Sequence, residues 1–359
     1  MKAIAIATVA LALTGAWLLF GMNEPELTSF SADSDHEMFM SWMSEHGKSY
    51  DNEDEYRHRF EIFQKSLRTL EKHAGRNDRR YEMGLNHFAD QSQEEFESML
   101  GFIPAEVRTN EKRLTKSTSE PSHVDWTEAG CVQHVKDQKS CGSCYSFSAT
   151  GAIESGHCAR TGELLDLADK DCLDCSFRYG NKGCMGGHMV GCFQYFMEDK
   201  YDEVCYEEAY PYNGKYNVCQ EKACATDKAF HHPVTGFQSV PSKDIVAFMA
   251  ALDQQPLACA IEADHEIFRY YKEGILHDDP KKFDDEEQGI CGTGLNHGIL
   301  VTGYEFNGDL EDHDNNYIII KNSWSTKWGA DGYVKVAFGQ VSKGGTCGFL
   351  LDCSYPLTS

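Results

Sequence analysis

Residues 138–148 read Gln138-Lys139-Ser140-Cys141-Gly142-Ser143-Cys144-Tyr145-Ser146-Phe147-Ser148. A helix is predicted from Ser143 to about Ser155, because apolar residues recur there on one face, and Cys144 falls in its first turn. The free N–H groups and the positive dipole at a helix start favour a thiolate. They lower the pKa of a cysteine, more so when a histidine cation is close. Cys144 is therefore a candidate nucleophile.

Three other interpretations of this Cys-x-x-Cys pair stay open on the segment alone. It could be a redox pair of the thioredoxin type, a zinc knuckle completed by Cys172 and Cys175, or two halves of ordinary disulfides. The chain has 15 cysteines. Because disulfides consume cysteines in pairs, at least one thiol has no partner inside the chain.

Two downstream segments favour the nucleophile. In Leu295-Asn296-His297-Gly298-Ile299 a histidine opens an apolar strand, and in Ile320-Lys321-Asn322-Ser323-Trp324 an asparagine follows another strand. The asparagine oxygen can orient an imidazole, and the imidazole can take the proton of a thiol. A cysteine, a histidine and an orienting asparagine, far apart in sequence and in this order, are typical of thiol hydrolases.

With these motifs the chain resembles papain-family cysteine peptidases, closest to the cathepsin L-like branch, in precursor form. The resemblance implies that Cys144 is the nucleophile, His297 the general base and acid, Asn322 the residue that orients it, and Gln138 the side-chain donor of the oxyanion hole. Asp125-Trp126 resembles the start of a mature enzyme. Trp324 and Trp328 resemble the aromatic cover over the Asn–His hydrogen bond.

The part before the catalytic segment resembles the family's inhibitory propeptide. Its two motifs fall on Glu55, Arg59, Phe63 and on Gly84, Asn86, Phe88, Asp90. Three remaining positions of the helix motif depart from the family pattern and carry Ser66, Leu70 and Ala74, the second conservatively. We expect residues of about 23 to 120 to fold onto the catalytic part, with Ala105 to Glu120 crossing and blocking the cleft.

Composition and pattern predict the domain organisation. All cysteines lie between Cys131 and Cys353, and the polar stretch Pro104 to Pro121 resembles an exposed linker. Before it, the apolar residues Tyr56, Phe60, Phe63, Leu67 and Leu70 recur at helical spacing, which predicts an amphipathic helix. Beyond it, helical patterns give way to short apolar or alternating runs at 257–263, 297–304, 317–321 and 333–338, which predicts an α+β fold of two lobes with a cleft between them. The resemblance implies that this fold is papain-like. The expected domains are a signal peptide at 1–22, a helical propeptide at 23–120 and a peptidase domain at 121–359. The latter divides into a helical lobe at about 121–232 and a β-rich lobe at about 233–359.

Targeting and charge narrow the function classes. Lys2 and the apolar run from Ala3 to Phe20 resemble a secretory signal peptide, with an uncleaved membrane anchor as the alternative. We expect the secretory pathway, ending in a lysosome, a vacuole or the extracellular space. With 33 Lys+Arg against 57 Asp+Glu, the net charge of -24 excludes nucleic acid as an expected partner.

The resemblance also implies disulfides, a pocket and partners. It pairs Cys141 with Cys184, Cys175 with Cys219 and Cys291 with Cys347. The eight cysteines that remain besides Cys144 allow four further bridges, whose pairing the sequence leaves open: Cys131, Cys158, Cys172, Cys192, Cys205, Cys224, Cys259 and Cys353. If some of them are instead buried free thiols, Cys259 is the first expected, because it lies in an apolar run. Gly186 and Gly187 would form the strip along which substrate pairs, and the specificity pocket would be lined by Met189, Ala260, Leu295 and Asp352. We expect polypeptide substrates, cystatin-type inhibitors, a monomeric mature form, and no cofactor or metal.

Two points remain open in the sequence. Tyr145 stands where the family has tryptophan, so packing beneath Cys144 is expected to differ. A catalytically silent homologue that acts as a binding or matrix protein is the alternative function, although the four catalytic positions are all occupied by the family's residues.

Overall fold

The structure is a computed structural model that describes residues 27–76, 80–105, 111–118, 120–198, 203–220, 224, 228–277, 291–312 and 315–359. The predicted signal peptide lies outside these residues. The chain divides into two compact units, residues 1–48 and 49–359. Within the described residues no helix is both long enough and apolar enough to span a bilayer.

Helices and strands follow one another in a mixed order. The helices are α1 (Leu27–His46), α2 (Glu53–Ala74), α3 (Gln93–Glu97), α4 (Cys144–Thr161), α5 (Asp169–Cys175), α6 (Met189–Glu198), α7 (Ile245–Leu252) and α8 (Glu266–Arg269). The strands are β1 (Tyr81–Met83), β2 (Ser122–Asp125), β3 (Glu203–Cys205), β4 (Ala229–His231), β5 (Val234–Ser239), β6 (Leu257–Ile261), β7 (Tyr271–Leu276), β8 (His297–Phe306), β9 (Tyr317–Lys321), β10 (Tyr333–Ala337) and β11 (Cys353–Thr358). The predicted α+β class is confirmed.

The ends of helix α2 show why this segment is helical. The Asn52 side chain accepts a hydrogen bond from the Glu55 N–H and caps the helix, and acidic residues fill the first turn. Basic residues occupy the last turn, where they complement the helix dipole. Of the apolar stripe predicted from the spacing, Phe63 and Leu67 are buried, and Ile62 is buried beside them.

The main sheet runs in the order β1-β7-β10-β9-β8-β6-β11-β5, and β2 pairs with β8 beside this path. Strand β8 is buried along almost its whole length, as its continuous apolar run predicts. It is antiparallel to β9, with Leu300 opposite Lys321. This register places His297, at the start of β8, at the same end of the sheet as Asn322, just after β9.

Helix α4 lies directly against strand β8. Gly298 permits the close approach, because a Cβ at this position would stand 3.2 Å from backbone atoms of Cys144 and Tyr145. The helix ends at Gly162, whose φ of 80° lies in the left-handed region that favours glycine. The close contact at Gly298 places the start of α4 beside the start of β8.

Seven disulfides link fourteen cysteines, and Cys144 is the free, buried cysteine. Three of the bonds are those implied by the resemblance: Cys141–Cys184, Cys175–Cys219 and Cys291–Cys347. The other four are Cys131–Cys158, Cys172–Cys192, Cys205–Cys224 and Cys259–Cys353. The expectation that Cys259 is a free thiol is wrong, because β6 and β11 pair and place Cys259 opposite Cys353.

The Cys259–Cys353 bond spans 94 residues of sequence, and its removal should lower the free energy of unfolding of the precursor by about 4 kcal/mol. Loop closure costs more entropy in a longer loop, so Cys205→Ala/Cys224→Ala, which opens a 19-residue separation, should cost about 1 kcal/mol less than Cys259→Ala/Cys353→Ala. Urea unfolding measures both values. An equal or larger loss from the shorter loop would contradict this explanation.

Candidate active site

Cys144, His297 and Asn322 come together where α4 meets the sheet. Cys144 is the first residue of α4, and its Sγ accepts a hydrogen bond from the Gly298 N–H at 3.2 Å. The Nε2 of His297 lies 2.8 Å from Oδ1 of Asn322. Because this oxygen can only accept, Nε2 carries the proton. In the neutral imidazole Nδ1 is then unprotonated, and it has no hydrogen-bond partner among the described residues.

Two buried tryptophans cover the histidine. The ring of Trp324 lies 4.6 Å from the His297 ring between centroids, and Trp328 meets Trp324 edge-on at 5.1 Å. Trp328 is itself held, because its Nε1–H reaches the carbonyl oxygens of Phe268 and Arg269 at 3.1 Å. The rings exclude water from the His297–Asn322 hydrogen bond, which makes that bond stronger electrostatically.

Gln138 is fully buried beside the same site. Its Oε1 accepts a hydrogen bond from Ser323 Oγ at 2.6 Å, which fixes the orientation of the amide. The amide Nε2 donates to the carbonyl oxygens of Met99 at 2.8 Å and Cys141 at 2.9 Å. The donor predicted for an oxyanion hole is thus engaged by a carbonyl from the N-terminal part of the chain.

The segment Gly101–Ile103 lies in the cleft. The Gly187 N–H donates to the Gly101 carbonyl and the Ile103 N–H donates to the Gly187 carbonyl, both at 2.8 Å. Gly101 is required, because a Cβ there would stand 1.9 Å from the Gly142 oxygen. The prediction that Ala105 to Glu120 crosses the cleft is wrong for the described residues, because those that block the cleft precede Ala105; residues 106–110 and 119 of that stretch lie outside the described residues. Further along the chain, the Lys112 backbone N–H donates to the carbonyl of Ser239, the last residue of β5, at 3.1 Å.

Phe102 belongs to the same buried apolar cluster as two residues predicted for the specificity pocket, Met189 and Ala260, and Leu295 packs against this cluster. The Phe102 N–H donates to the Asn296 carbonyl, next to Leu295, at 2.9 Å. Asp352 adjoins the pocket residues, because its carbonyl accepts a hydrogen bond from the Ala260 N–H at 2.9 Å. Its negative charge favours the protonated form of His188, but burial outweighs this effect and lowers the pKa of His188.

Burial controls the protonation of Cys144 and His297 in this form. Burial raises the pKa of the Cys144 thiol to about 11, although the N–H groups of Gly298, Gly101 and Tyr145 favour the thiolate. Burial lowers the pKa of His297 to about 4, opposed by its hydrogen bond to Asn322. Between these values both groups are neutral, so the thiolate–imidazolium pair is not formed while the cleft is filled.

Family models match both parts of the chain. Residues 120–357 match the model described as papain family cysteine protease, and residues 39–96 match the cathepsin propeptide inhibitor domain. The chain belongs to the papain family of cysteine proteases. It is 36% identical to a cathepsin L-like peptidase of Aedes aegypti, covering 87% of this chain and 90% of that protein. It is 35% identical to human cathepsin L2, covering 88% and 90%.

Solved structures of precursors share the fold of this papain-family protease. A recombinant stem bromelain precursor superposes with a TM-score of 0.75 at 31% identity, covering 91% of this chain and all of that one. Digestive procathepsin L 3 of Tenebrio molitor also gives 0.75 at 31% identity, covering 90% and 98%. The papain-like fold and the helical propeptide region predicted from the sequence are confirmed.

The second propeptide motif of this papain-family protease docks onto the aromatic cover of the site. The Phe88 ring meets Trp324 edge-on, with centroids 5.4 Å apart, and Phe96 meets the same indole in the same way. Asn86 Nδ2 donates to the Arg269 carbonyl at 2.8 Å, and the buried Arg269 guanidinium donates back to the Phe88 carbonyl. Gly84 adds a backbone bond to the Tyr270 carbonyl.

The helix motif holds the propeptide together. Arg59 binds both carboxylate oxygens of Glu95 and also donates to the Asp90 carbonyl, while Glu55 lies 3.7 Å from its Nε. Phe63 is fully buried in the apolar face of α2. At the departure Ser66, the hydroxyl lies 2.7 Å from Tyr270 Oη, so a polar residue there finds a partner in the catalytic part.

Other structural residues were not singled out by the sequence. Gly298 and Gly101 contact the site through backbone groups or close packing, and Arg269 contacts the propeptide through its carbonyl and its guanidinium, so none of the three forms a sequence motif. Tyr145, identified as a departure, is buried and donates its hydroxyl to the Gly183 carbonyl at 3.2 Å. Cys141, Cys172 and Cys175 are all in disulfides, which removes the redox pair and the zinc knuckle. No cluster of metal-binding side chains occurs within the described residues.

Proposed function

We propose that this papain-family protease is an endopeptidase that cleaves peptide bonds through a Cys144–His297–Asn322 thiolate mechanism. The main support for this proposal is that these three residues lie together where α4 contacts β8. An unbroken stretch of chain, from Met99 to Ile103, also passes through the cleft and beyond Cys144 on both sides. A cleft that admits a continuing chain on both sides suits internal cleavage.

In the proposed reaction His297 Nδ1 takes the proton from Cys144 Sγ, and Asn322 holds the resulting imidazolium through Nε2. The thiolate attacks the carbonyl carbon and forms a tetrahedral intermediate. The imidazolium then protonates the leaving amine, the C–N bond breaks and an acyl-enzyme thioester remains. Water, deprotonated by His297, hydrolyses the thioester and restores the thiol.

We assign the oxyanion hole to the Gln138 amide and the backbone N–H of Cys144. Support comes from the burial of Gln138 and from the Ser323 bond that directs its Nε2. A donor in this role typically contributes about 3 to 4 kcal/mol to lowering the barrier. In the precursor Gln138 Nε2 already donates to the Met99 carbonyl, so it cannot bind the oxyanion of a substrate. This contact accounts for part of the inhibition.

We further propose the domain bounds 1–22, 23–120 and 121–359 for the signal peptide, the inhibitory propeptide and the peptidase domain. The cystatin-type inhibitors and the monomeric mature enzyme are proposals drawn from the family. Seven disulfides and the cathepsin relatives are consistent with the secretory pathway and with a lysosome, vacuole or extracellular destination.

The test of this function starts from the purified precursor, incubated at acid pH with a denatured protein substrate. We expect the N-terminal segment to be removed and the substrate to be cut at internal bonds, which mass spectrometry identifies. A sample alkylated at the thiol after activation is the control and should be inactive. Release of single residues or dipeptides from the chain ends alone would contradict endopeptidase activity.

Asp352 should give the pocket a second preference. We expect the activated enzyme to accept Leu, Phe and Arg as the second residue before the cut. Burial lowers the pKa of His188, so this neighbour is neutral near pH 7, and the Asp352 side chain can pair with an arginine of the substrate. In Asp352→Ala the kcat/KM for the Arg substrate should fall about tenfold relative to Leu, or about 1.4 kcal/mol. Asp352→Asn, which keeps the size of the side chain and removes its charge, is the control. An unchanged preference for Arg in Asp352→Ala would contradict the role assigned to Asp352.

Phe88 should decide how tightly the propeptide binds. Added to the processed enzyme, separately prepared residues 23–120 should inhibit, and Phe88→Ala in that segment should raise the inhibition constant about 100-fold. The reason is that removal of a buried phenylalanine ring typically costs about 3 to 5 kcal/mol of stabilising free energy. Relaxation of the surrounding side chains recovers part of this cost. Lys72→Ala, at an exposed site of α2, is the matched control. If neither segment inhibits, the proposed intramolecular inhibition is wrong.

A further inference from the structure

The hydroxyl group of Tyr212 contacts the residues on which the proposed oxyanion hole depends. Its Oη lies 2.8 Å from the Gln138 carbonyl oxygen and 2.7 Å from Ser143 Oγ. Gln138 supplies one donor of the hole through its side-chain amide. Ser143 directly precedes Cys144, whose backbone N–H is the other donor. One side chain, from the loop between β3 and β4, therefore bridges the two parts of the chain that carry the donors.

The protons in this bridge can be assigned. The Gln138 carbonyl can only accept, so the Tyr212 O–H donates to it, and the Tyr212 oxygen accepts the Ser143 O–H. Both distances are normal for O–H···O hydrogen bonds, whereas the contact of Ser143 Oγ with the Cys141 carbonyl is long, at 3.4 Å. Burial raises the pKa of Tyr212, so its hydroxyl stays protonated and remains a donor at acid and neutral pH.

Ser143 does not do what a serine at its position ordinarily does. It occupies the N-cap of α4, where a serine side chain usually accepts a hydrogen bond from an N–H of the first turn. Its side chain makes no capping bond here. The bond to Tyr212 thus replaces a local contact that would stabilise the helix, which indicates that the bridge serves something other than helix formation.

Tyr212 is itself held from two sides. Its backbone N–H donates to Glu207 Oε1 at 2.8 Å. Its ring meets the ring of Phe147 edge-on, with centroids 4.8 Å apart. Phe147 lies one turn beyond Ser143 and on the same side of α4, so the ring and the hydroxyl of Tyr212 both contact the start of the helix that carries Cys144.

The bridge completes the fixation of Gln138. On one side, the Gln138 N–H donates to the Ser323 carbonyl at 2.8 Å, and Ser323 Oγ orients the amide. On the other side, Tyr212 holds the Gln138 carbonyl. Donors in an oxyanion hole act only where the negative charge develops, so the spacing between them must be kept closely.

We propose that Tyr212 is a positioning residue of the oxyanion hole: its hydroxyl ties Gln138 to Ser143 and so sets the spacing between the Gln138 amide and the Cys144 N–H. The inference rests on the proposed endopeptidase function. Tyr212 acts through the two donors and not on the substrate. Its loss weakens the binding of the transition state and leaves the binding of substrate and the formation of the thiolate unchanged.

The test compares processed Tyr212→Phe with the processed, unsubstituted enzyme on a peptide amide substrate. The substitution removes the hydroxyl and keeps the ring that packs on Phe147. We expect kcat to fall about tenfold with KM unchanged, which is less than the loss of about 100- to 1,000-fold typical for removal of a whole donor. Tyr210→Phe is the matched control and should keep full kcat, because the Tyr210 hydroxyl donates to Asp174 Oδ2 at 2.7 Å instead.

Two further measurements distinguish positioning of the donors from a general loosening of the site. The rate of Cys144 alkylation by iodoacetamide should be the same in Tyr212→Phe, because formation of the thiolate does not use the oxyanion hole. In a Gln138→Ala background, Tyr212→Phe should lower kcat less than about threefold, because one of the two donors through which Tyr212 acts is then already lost.

The outcomes separate this inference from the proposed function. An unchanged kcat in Tyr212→Phe overturns the inference and leaves the protease function intact. A loss of kcat with equally slowed alkylation, or an equal loss in the Gln138→Ala background, also overturns it. If thermal unfolding shows that Tyr212→Phe is destabilised, Ser143→Ala removes the other hydroxyl of the bridge, and full kcat there overturns the inference. Failure of the unsubstituted, processed enzyme to cleave the substrate would instead refute the proposed function.

Discussion

Removal of the propeptide should raise the rate of Cys144 alkylation by iodoacetamide at pH 7 by at least about 100-fold. In the precursor, burial raises the pKa of the thiol to about 11, so the thiol is almost entirely protonated at pH 7. Burial also places the pKa of His297 at about 4, so no cation lies beside the sulfur. Once the cleft opens, water and the imidazolium both stabilise the thiolate.

The direction of this change in alkylation rate follows from the pKa values of the Cys144 thiol and the His297 imidazole. A raised pKa keeps the thiol protonated below about 11, and a lowered pKa keeps the imidazole neutral above about 4. Across this range the precursor holds two neutral groups. In the processed enzyme the pKa of the thiol should fall and that of the histidine should rise, and the ion pair forms between the new values.

The rate is measured by mass spectrometry of the alkylated protein against time, from pH 4 to pH 9. The other fourteen cysteines are in disulfides, so each added group reports Cys144. Cys144→Ala is the matched control and should remain unlabelled in both forms. Equal alkylation rates for the precursor and the processed enzyme would show that burial under Gly101 does not control the thiol.

Replacement of Cys144 by serine should lower kcat/KM by at least about 10,000-fold and stop self-processing, since loss of a nucleophile costs this much in related catalytic units. A hydroxyl has a far higher pKa than a thiol, so His297 cannot form an ion pair with it at neutral pH. The substitution keeps nearly the same shape, so the hydrogen bonds of Gln138 and the packing of Trp324 should persist.

The measurement uses precursor that is processed by a trace of active enzyme, so that the variant and the unsubstituted chain are compared as the same fragment. Thermal unfolding of both controls for folding. His297→Ala should give a loss of similar size, and the double variant should lose little more, because the two residues act as a unit. Activity above about one hundredth of the original in Cys144→Ser would mean that another group is the nucleophile.

Local patterns predicted the elements that carry the site. The spacing of apolar residues predicted α2, and continuous apolar runs predicted strands near β6, β8, β9 and β10, because burial on both faces leaves a clear pattern. The helix at Cys144 was predicted to about Ser155 and extends to Thr161. The site residues were identified by motif and order alone, and their convergence could not be calculated from sequence separation.

The two wrong predictions have a common physical reason. An apolar run around Cys259 suits a buried free thiol, but pairing of β6 with β11 brings Cys353 opposite it. Polar residues after Pro104 suggested the crossing segment, yet the cleft takes Gly101–Ile103, where a residue without a side chain fits beside Gly142 and the Phe102 ring joins the apolar cluster of Met189 and Ala260. Both outcomes depend on contacts between residues distant in sequence.

The sequence by itself determined the class of chemistry. An odd number of cysteines required a thiol without a partner inside the chain, and the order of cysteine, histidine and asparagine identified Cys144 as that thiol. Composition and hydrophobic periodicity determined the α+β fold class. These properties are local or additive, so they can be derived without coordinates.

Tertiary structure alone decided the state of the site. The pKa values of Cys144 and His297 are set by burial beneath a segment more than 40 residues away from the nucleophile along the chain. The pairing of eight further cysteines likewise depends on which surfaces meet. Burial and proximity arise only when the chain has folded, since residues that are remote in sequence then share one low-dielectric site.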